Sequence, residues 1–192
     1  MSFEWIPITS ELKECINDFD CGEYEFNVFI KEKALDWMKE GYAVTYVAVD
    51  DDEMKNGNIN RIYAYASINA TGLMYNDGPT KYLSCAEIRM FAVSRFLRGT
   101  EAVDIDGKRY SYKIFQTLMQ EIYHISTSTI GFTAVTLNSN TNGLQLYKKF
   151  GFIETNEYLL PEEEEKLDIE GCIPLVFSLI SSDALAKIFV EE

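Results

Sequence analysis

The sequence predicts an α/β domain of the α+β kind, with helices on both faces of a central, mixed, mostly antiparallel sheet. Three observations carry this. Phe26, Phe29, Ile30, Ala34, Trp37 and Met38 recur at helical spacing, as do Ile114, Phe115, Leu118, Met119, Ile122 and Ile125. Short runs of alternating or continuous apolar character, bounded by polar turns, lie between and after these helices. Helices and strands are interspersed, so each apolar helix stripe needs a sheet face to cover it.

In chain order, Gly41 stands where the first helix would be capped. Strands are expected at 43–49 and 61–70, with a polar turn at 50–58 between them. In the second, Ile62, Ala64, Ala66 and Ile68 alternate with Tyr63, Tyr65, Ser67 and Asn69. The excursion Tyr75-Asn76-Asp77-Gly78-Pro79 precedes a strand at 83–93. Residues 98–107 lack helical periodicity and read as an insertion ahead of a long helix from Tyr112. A buried strand at 131–137, a short helix at 141–150, closing strands at 152–158 and 173–180, and a C-terminal helix at 183–190 complete the series. Glu162-Glu163-Glu164-Glu165 after Pro161 suits a solvated turn or the first turn of a short helix.

A chain of 192 residues is read as one domain, 1–192, with a substantial core. With 47% apolar and 14% aromatic residues, disorder is excluded. No apolar stretch approaches the roughly 20 residues of a bilayer span. Met1-Ser2-Phe3-Glu4-Trp5 does not resemble a secretion signal, so a cytoplasmic protein is expected. Cys15, Cys21, Cys85 and Cys172 follow no zinc spacing and His124 is the only histidine, so no metal is expected and the thiols are read as structural.

Asp106-Gly107-Lys108-Arg109-Tyr110-Ser111 leads into the long helix. A helix start exposes unpaired N–H groups and the positive end of the dipole, which suits a pyrophosphate. Lys108, Arg109 and Lys113 cluster there, and the first helical turn carries no acid. The other reading makes Ser111 an N-cap and the bases surface residues.

This loop resembles, imperfectly, the Q/R-x-x-G-x-G/A pyrophosphate motif of the GNAT superfamily of acyl-CoA-dependent N-acyltransferases. Asp106, Arg109 and Ser111 replace its Gln/Arg, central Gly and final Gly/Ala. Ala86-Glu87-Ile88-Arg89-Met90-Phe91-Ala92-Val93-Ser94 is similar to the family's fourth strand, and Asn140-Thr141-Asn142-Gly143-Leu144-Gln145-Leu146-Tyr147 to its N-x-x-A-x-x-x-Y segment. The resemblance implies a sheet splayed between strands 4 and 5 with acetyl-CoA as co-substrate. It implies cofactor contacts from Phe91, Ala92, Val93, Lys108, Arg109, Tyr110, Ser111 and Asn140. Glu87 would be the general base, alone or through water, and Tyr147 the acid protonating the departing thiolate. On the residues alone, Glu87 also reads as an alternating exposed position and Tyr147 as a core aromatic.

Seventeen basic against 31 acidic side chains give a net charge of −14. Nucleic-acid affinity rests on neutralising phosphates, so nucleic acid is disfavoured as a partner. A small-molecule or peptide amine acceptor, cationic in character, is expected, with no membrane partner; a homodimer is compatible with the sequence. The N-terminal part, with Asp20-Cys21-Gly22, resembles a GNAT branch that includes toxins acetylating charged tRNA, a substrate against which the charge argues. A non-catalytic coenzyme-A- or protein-binding module is the further alternative.

Overall fold

A computed structural model describes residues 1–75, 81–154 and 172–189. Its strands are β1 (Phe3–Pro7), β2 (Val44–Asp50), β3 (Ala64–Tyr75), β4 (Lys81–Val93), β5 (Ala134–Ser139), β6 (Ile153–Glu154) and β7 (Ile173–Ser178). They form a sheet in the order β1-β2-β3-β4-β5-β7-β6. The β1–β2, β2–β3, β5–β7 and β6–β7 pairs are antiparallel, and β4–β5 is parallel. The helices are α1 (Lys13–Asp18), α2 (Tyr24–Val28), α3 (Ala34–Glu40), α4 (Asp51–Lys55), α5 (Tyr110–Ser128), α6 (Leu144–Phe150) and α7 (Ser182–Phe189). This is the expected mixed α/β architecture. The chain divides into two compact units, Met1–Asn69 with Arg89–Glu121, and Ala70–Ile88 with Ile122–Glu192.

The first unit carries helices on both faces of its strands. Register places Trp5 beside Ala48 and Ala48 beside Ala64. On that face the Trp5 indole N–H donates to Thr117 Oγ1 of α5 at 3.0 Å, and Phe3 meets Tyr110 edge-on at 6.3 Å. Neighbouring strand residues point the opposite way, so Val47 and its partner Tyr65 face the N-terminal helices. There Tyr65 stacks on Phe29 at 5.9 Å and meets Phe19 at 5.4 Å, while its hydroxyl donates to the Phe26 carbonyl at 2.8 Å. A π-helical turn, Phe29–Lys33, joins α2 to α3. This wider turn coincides with two consecutive buried side chains, Phe29 and Ile30. Gly41, at φ +79°, ends α3 with a left-handed cap as expected.

In the second unit, β4 and β5 pair from Cys85↔Ala134 to Ile88↔Leu137, and β5 pairs with β7 from Ala134↔Ser178 to Ser139↔Ile173. Phe150 of α6 lies 5.5 Å from Phe177, and Phe152 lies 5.1 Å from it. Helix α6 thus covers the face shared by Phe177 and its partner Val135. The opposite face holds a small apolar cluster of Leu73, Cys85 and Ala134, with Val176 packed against it. Phe189 of α7 meets Tyr123 at 5.2 Å.

Several expectations need correction. Strand β1 and helix α1 were not anticipated. The stretch expected as one polar turn contains α4, because Asp50 caps it by accepting from the Asp52 and Glu53 N–H groups. Helix α5 starts at Tyr110, two residues before the expected Tyr112. Helix α6 starts at Leu144 and not at 141, because residues 141–143 form a turn held by Asn140. The expected turn at 76–79, the end of the strand at 155–158 and the acidic run at 162–165 lie outside the described residues.

Burial pushes the Tyr65 phenol well above its ordinary value. Replacing Tyr65 by Phe should cost about 1–2 kcal/mol near neutral pH, because the Phe26 carbonyl loses its buried donor. The pH dependence has a definite sign. The unfolded chain ionises this phenol near pH ~10 while the native state keeps it protonated, so its contribution is complete below that pH and falls above it. Urea unfolding between neutral and strongly alkaline pH should therefore show a shallower alkaline decline in Tyr65→Phe than in the parent; equal slopes would contradict this assignment.

Candidate functional site

The second unit carries Asn140, Tyr147 and Glu87. At the end of β5, Asn140 Oδ1 accepts from the Gly143 N–H at 2.9 Å and closes the turn that launches α6. One helical turn later, Tyr147 is 8% exposed and meets Phe152 edge-on at 5.9 Å. Long helix side chains lean back over the preceding turn, and the Tyr147 ring lies against Gly143. Gly151, at φ +113°, closes the helix: its N–H donates to the Tyr147 and Lys148 carbonyls, and the Phe152 N–H donates to the Tyr147 carbonyl. Burial pushes the Tyr147 phenol far up, so at neutral pH it is a protonated donor.

Glu87 is half-buried on β4 and pairs in register with Thr136. Thr136 and its β7 partner Val176 belong to the face opposite Phe177. Glu87 therefore projects from one face of these strands and α6 covers the other. Asn140 and Tyr147 are brought together at one helix start; Glu87 is not on their side. Beside it, the Thr136 hydroxyl is buried with no hydrogen-bond partner among the described residues.

The first unit carries the remaining candidates. Phe91 meets Phe115 edge-on at 5.2 Å, and Ala92 and Val93 are buried. Beyond β4 the chain is tied to Asp20: the Arg95 N–H donates to its carbonyl at 3.0 Å, and the Arg95 guanidinium pairs with its carboxylate at 3.1 Å. The Asp20 carboxylate also accepts from the Gly22 N–H and the Asn27 amide, bonds that hold it below the usual carboxylate range.

The loop before α5 is a small hairpin, with an antiparallel bridge between Val103 and Arg109 and Ile105 exposed at its tip. Asp104 organises it. Its carboxylate accepts from the Asp106 and Lys108 N–H groups at 3.0 and 2.9 Å and pairs with Lys113 Nζ at 3.3 Å. The backbone bond from Lys108, first among these, holds its carboxyl below the usual range. The Tyr110 N–H donates to the Ala102 carbonyl at 3.0 Å. Of the expected phosphate cluster, Lys113 is thus shared with Asp104 and the Lys108 and Tyr110 N–H groups are engaged. Arg109 is exposed, Lys108 and Ser111 are half-buried.

Sequence reasoning missed the bonds made by Asp104 and Asp20. The Asp104-Ile105-Asp106-Gly107 run carries the turn chemistry that would have marked the first. For Asp20 the local signal was the Asp20-Cys21-Gly22 turn, in which its carboxylate accepts from the Gly22 N–H, while its pairing with Arg95 lies far along the chain and left none. Among the described residues, no group of three or more His, Cys, Asp or Glu side chains could hold a metal ion, and no helix is long and apolar enough to cross a membrane.

No family model matches the chain. Solved structures do. A tyrosine-to-phenylalanine variant of the toxin AtaT, bound to the C-terminus of the antitoxin AtaR and acetyl-CoA, aligns at a TM-score of 0.64 with 15% identity, covering 100% of both chains. AtaT complexed with acetyl-methionyl-tRNAfMet aligns at 0.66 with 16% identity, over 96% of this chain and 99% of AtaT. The KacTA–DNA complex aligns at 0.60 with 18% identity, over 92% and 93%. These complexes overturn the expectation that nucleic acid is an improbable partner and a small amine the natural one. Net charge is a sum over the whole surface, whereas binding is decided by local groups. At these identities the likeness establishes the architecture alone: the chain has the GNAT fold, which it shares with AtaT and KacT.

Proposed function

We propose that this chain is an acetyl-CoA-dependent N-acetyltransferase and that its acceptor is the amino group of an aminoacyl-tRNA. The observation that carries the reading is Tyr147: a buried, protonated phenol fixed at the start of α6, in a fold whose neighbours include an acetyl-CoA complex. The choice of acceptor is supported by the likeness to AtaT with acetyl-methionyl-tRNAfMet.

In this reading the acceptor amine attacks the thioester carbonyl, the C–N bond forms, the C–S bond breaks, and the sulfur takes its proton from Tyr147. A phenol suits this task because it is neutral in an apolar setting and still donates. Glu87, on the other face of the strands, takes the amine's proton through water. Asn140 spends its side-chain oxygen on Gly143, which leaves its amide nitrogen as the donor to the cofactor. Phe91, Ala92 and Val93 offer strand backbone to the pantetheine arm. Arg109, exposed at the start of α5, carries the charge for the pyrophosphate with Lys108, Tyr110 and Ser111. The engagement of Lys113 and the Lys108 N–H by Asp104 favours a second reading, a GNAT module that binds coenzyme A or protein without turnover.

Three measurements separate these readings. Incubation with acetyl-CoA and bulk charged tRNA, followed by nuclease digestion and mass spectrometry, should yield N-acetylated aminoacyl-adenosine; acetyl-CoA binding without that product would favour the non-catalytic module. Calorimetry should show acetyl-CoA affinity that weakens with salt and drops by about 1.5–3 kcal/mol in Arg109→Ala, the range of a charge-assisted hydrogen bond. Unchanged affinity would place the phosphates elsewhere. Tyr147→Phe should lower turnover roughly 10²–10⁴-fold with acetyl-CoA affinity retained, and full activity in that variant would remove the phenol from the mechanism.

A further inference from the structure

We infer that Thr136 is a positioning residue for the proton transfer at Glu87: its hydroxyl holds the water through which the carboxylate takes the amine's proton. This rests on the assignment of Glu87 as the base. Thr136 is 1% exposed, and its hydroxyl has no hydrogen-bond partner among the described residues. The other buried serine and threonine hydroxyls described are satisfied. Thr45 pairs with Ser67 at 3.2 Å, Ser139 donates to the Asn140 carbonyl at 2.8 Å and Ser94 to the Asp20 carbonyl at 3.4 Å. Burying a hydroxyl without a partner is costly, and valine has the same shape without the hydroxyl. Packing therefore does not account for a threonine at this position.

What stands beside the hydroxyl supplies the reason. In register Thr136 lies between Glu87 of β4 and Val176 of β7, and strands so paired are about 4.8 Å apart. Next to this pair, Ala134 joins Cys85 and Leu73 in an apolar cluster with Val176 against it. Glu87 is thus the polar neighbour of Thr136 across the parallel ladder. No direct bond joins the two, and a single water spans such a gap. A buried water binds about three polar groups. Here the Thr136 hydroxyl donates to the water oxygen, and the water donates to the Glu87 carboxylate. The second lone pair of that oxygen is left for the acceptor's ammonium. An N–H proton of the ammonium passes to the water as the water's own proton passes to Glu87, and the amine keeps the electron pair with which it attacks the thioester. The threonine donor thereby fixes which lone pair meets the substrate.

The test pairs activity with stability. With acetyl-CoA and bulk charged tRNA as probes, Thr136→Val should lower kcat about tenfold, the rate equivalent of one hydrogen bond. Its calorimetric affinity for acetyl-CoA should be unchanged and its Tm not lowered. Thr136→Ser, which keeps the hydroxyl, should keep the parental kcat. In a Glu87→Gln background, whose amide cannot take the proton, Thr136→Val should cause no further loss. Thr136→Val at parental kcat, while Glu87→Gln is impaired, would overturn the inference and leave Glu87 standing as the base. Equal losses in Thr136→Val and Thr136→Ser, a lowered Tm in Thr136→Val, or a further loss in the Glu87→Gln background would overturn it in favour of packing. Full activity in Glu87→Gln, or a parent that acetylates no charged tRNA, would overturn the inference together with the reading on which it rests.

Discussion

Strands β4 and β5 run parallel, and a parallel pair cannot be closed by a hairpin. The chain must leave the end of β4, return along the sheet and enter β5 from the same direction. Helix α5 performs that return. Its Ile114, Phe115, Leu118 and Met119 are all completely buried, so the crossover is a core element and not a connection laid over the surface. The parallel ladder then lasts only from Cys85 to Ile88, although β4 continues to Val93 and β5 to Ser139.

The second element depends on the first. Strand β5 also pairs with β7 along its whole length, and after Ser139 the chain buries its next apolar residues against the face that presents Phe177. Phe150 and Phe152 supply that contact from either side of Gly151, whose left-handed backbone turns the chain between them. A helix held so close to its C-terminal end has its first turn fixed by the Asn140 side chain instead. Tyr147 is thereby constrained from both ends. The same residue serves the core and is the proposed donor, so packing and chemistry are not alternatives at this position.

How far this could be read from the sequence follows from the range of each interaction. Periodicity exposed the Phe26–Met38 stripe and α5, because an amphipathic helix writes its burial into spacing. Gly41 was legible as a cap for a similar reason: its neighbours in sequence are its partners. Strand β1 was not, since Phe3, Trp5 and Pro7 make sense only when paired with β2 some forty residues later. The side of the sheet from which Glu87 projects was equally invisible, because it is defined by its register with Thr136 and by what covers Phe177. Family resemblance supplied the order of the candidate residues but not Asp104, whose bonds to Lys108 and Lys113 change what the loop can offer an anion.

Net charge is a poor guide to partners for a physical reason that the acids of this chain illustrate. A net charge of −14 describes the field far from the protein. At physiological ionic strength that field decays over about 8 Å, so a carboxylate lying beyond this distance from a contact scarcely opposes it. Several acids are also committed locally. Asp20 pairs with Arg95, Asp104 with Lys113 and Asp51 with Lys55, and each pair is a compact dipole to anything outside it. Asp50 points its charge at the N–H groups that begin α4. A polyanion approaching such a surface meets the arrangement within one screening length, and Arg109, exposed on its hairpin, belongs to that arrangement whatever the sum over the chain. Net charge therefore governs how quickly a phosphate backbone arrives; the local pattern governs whether it stays.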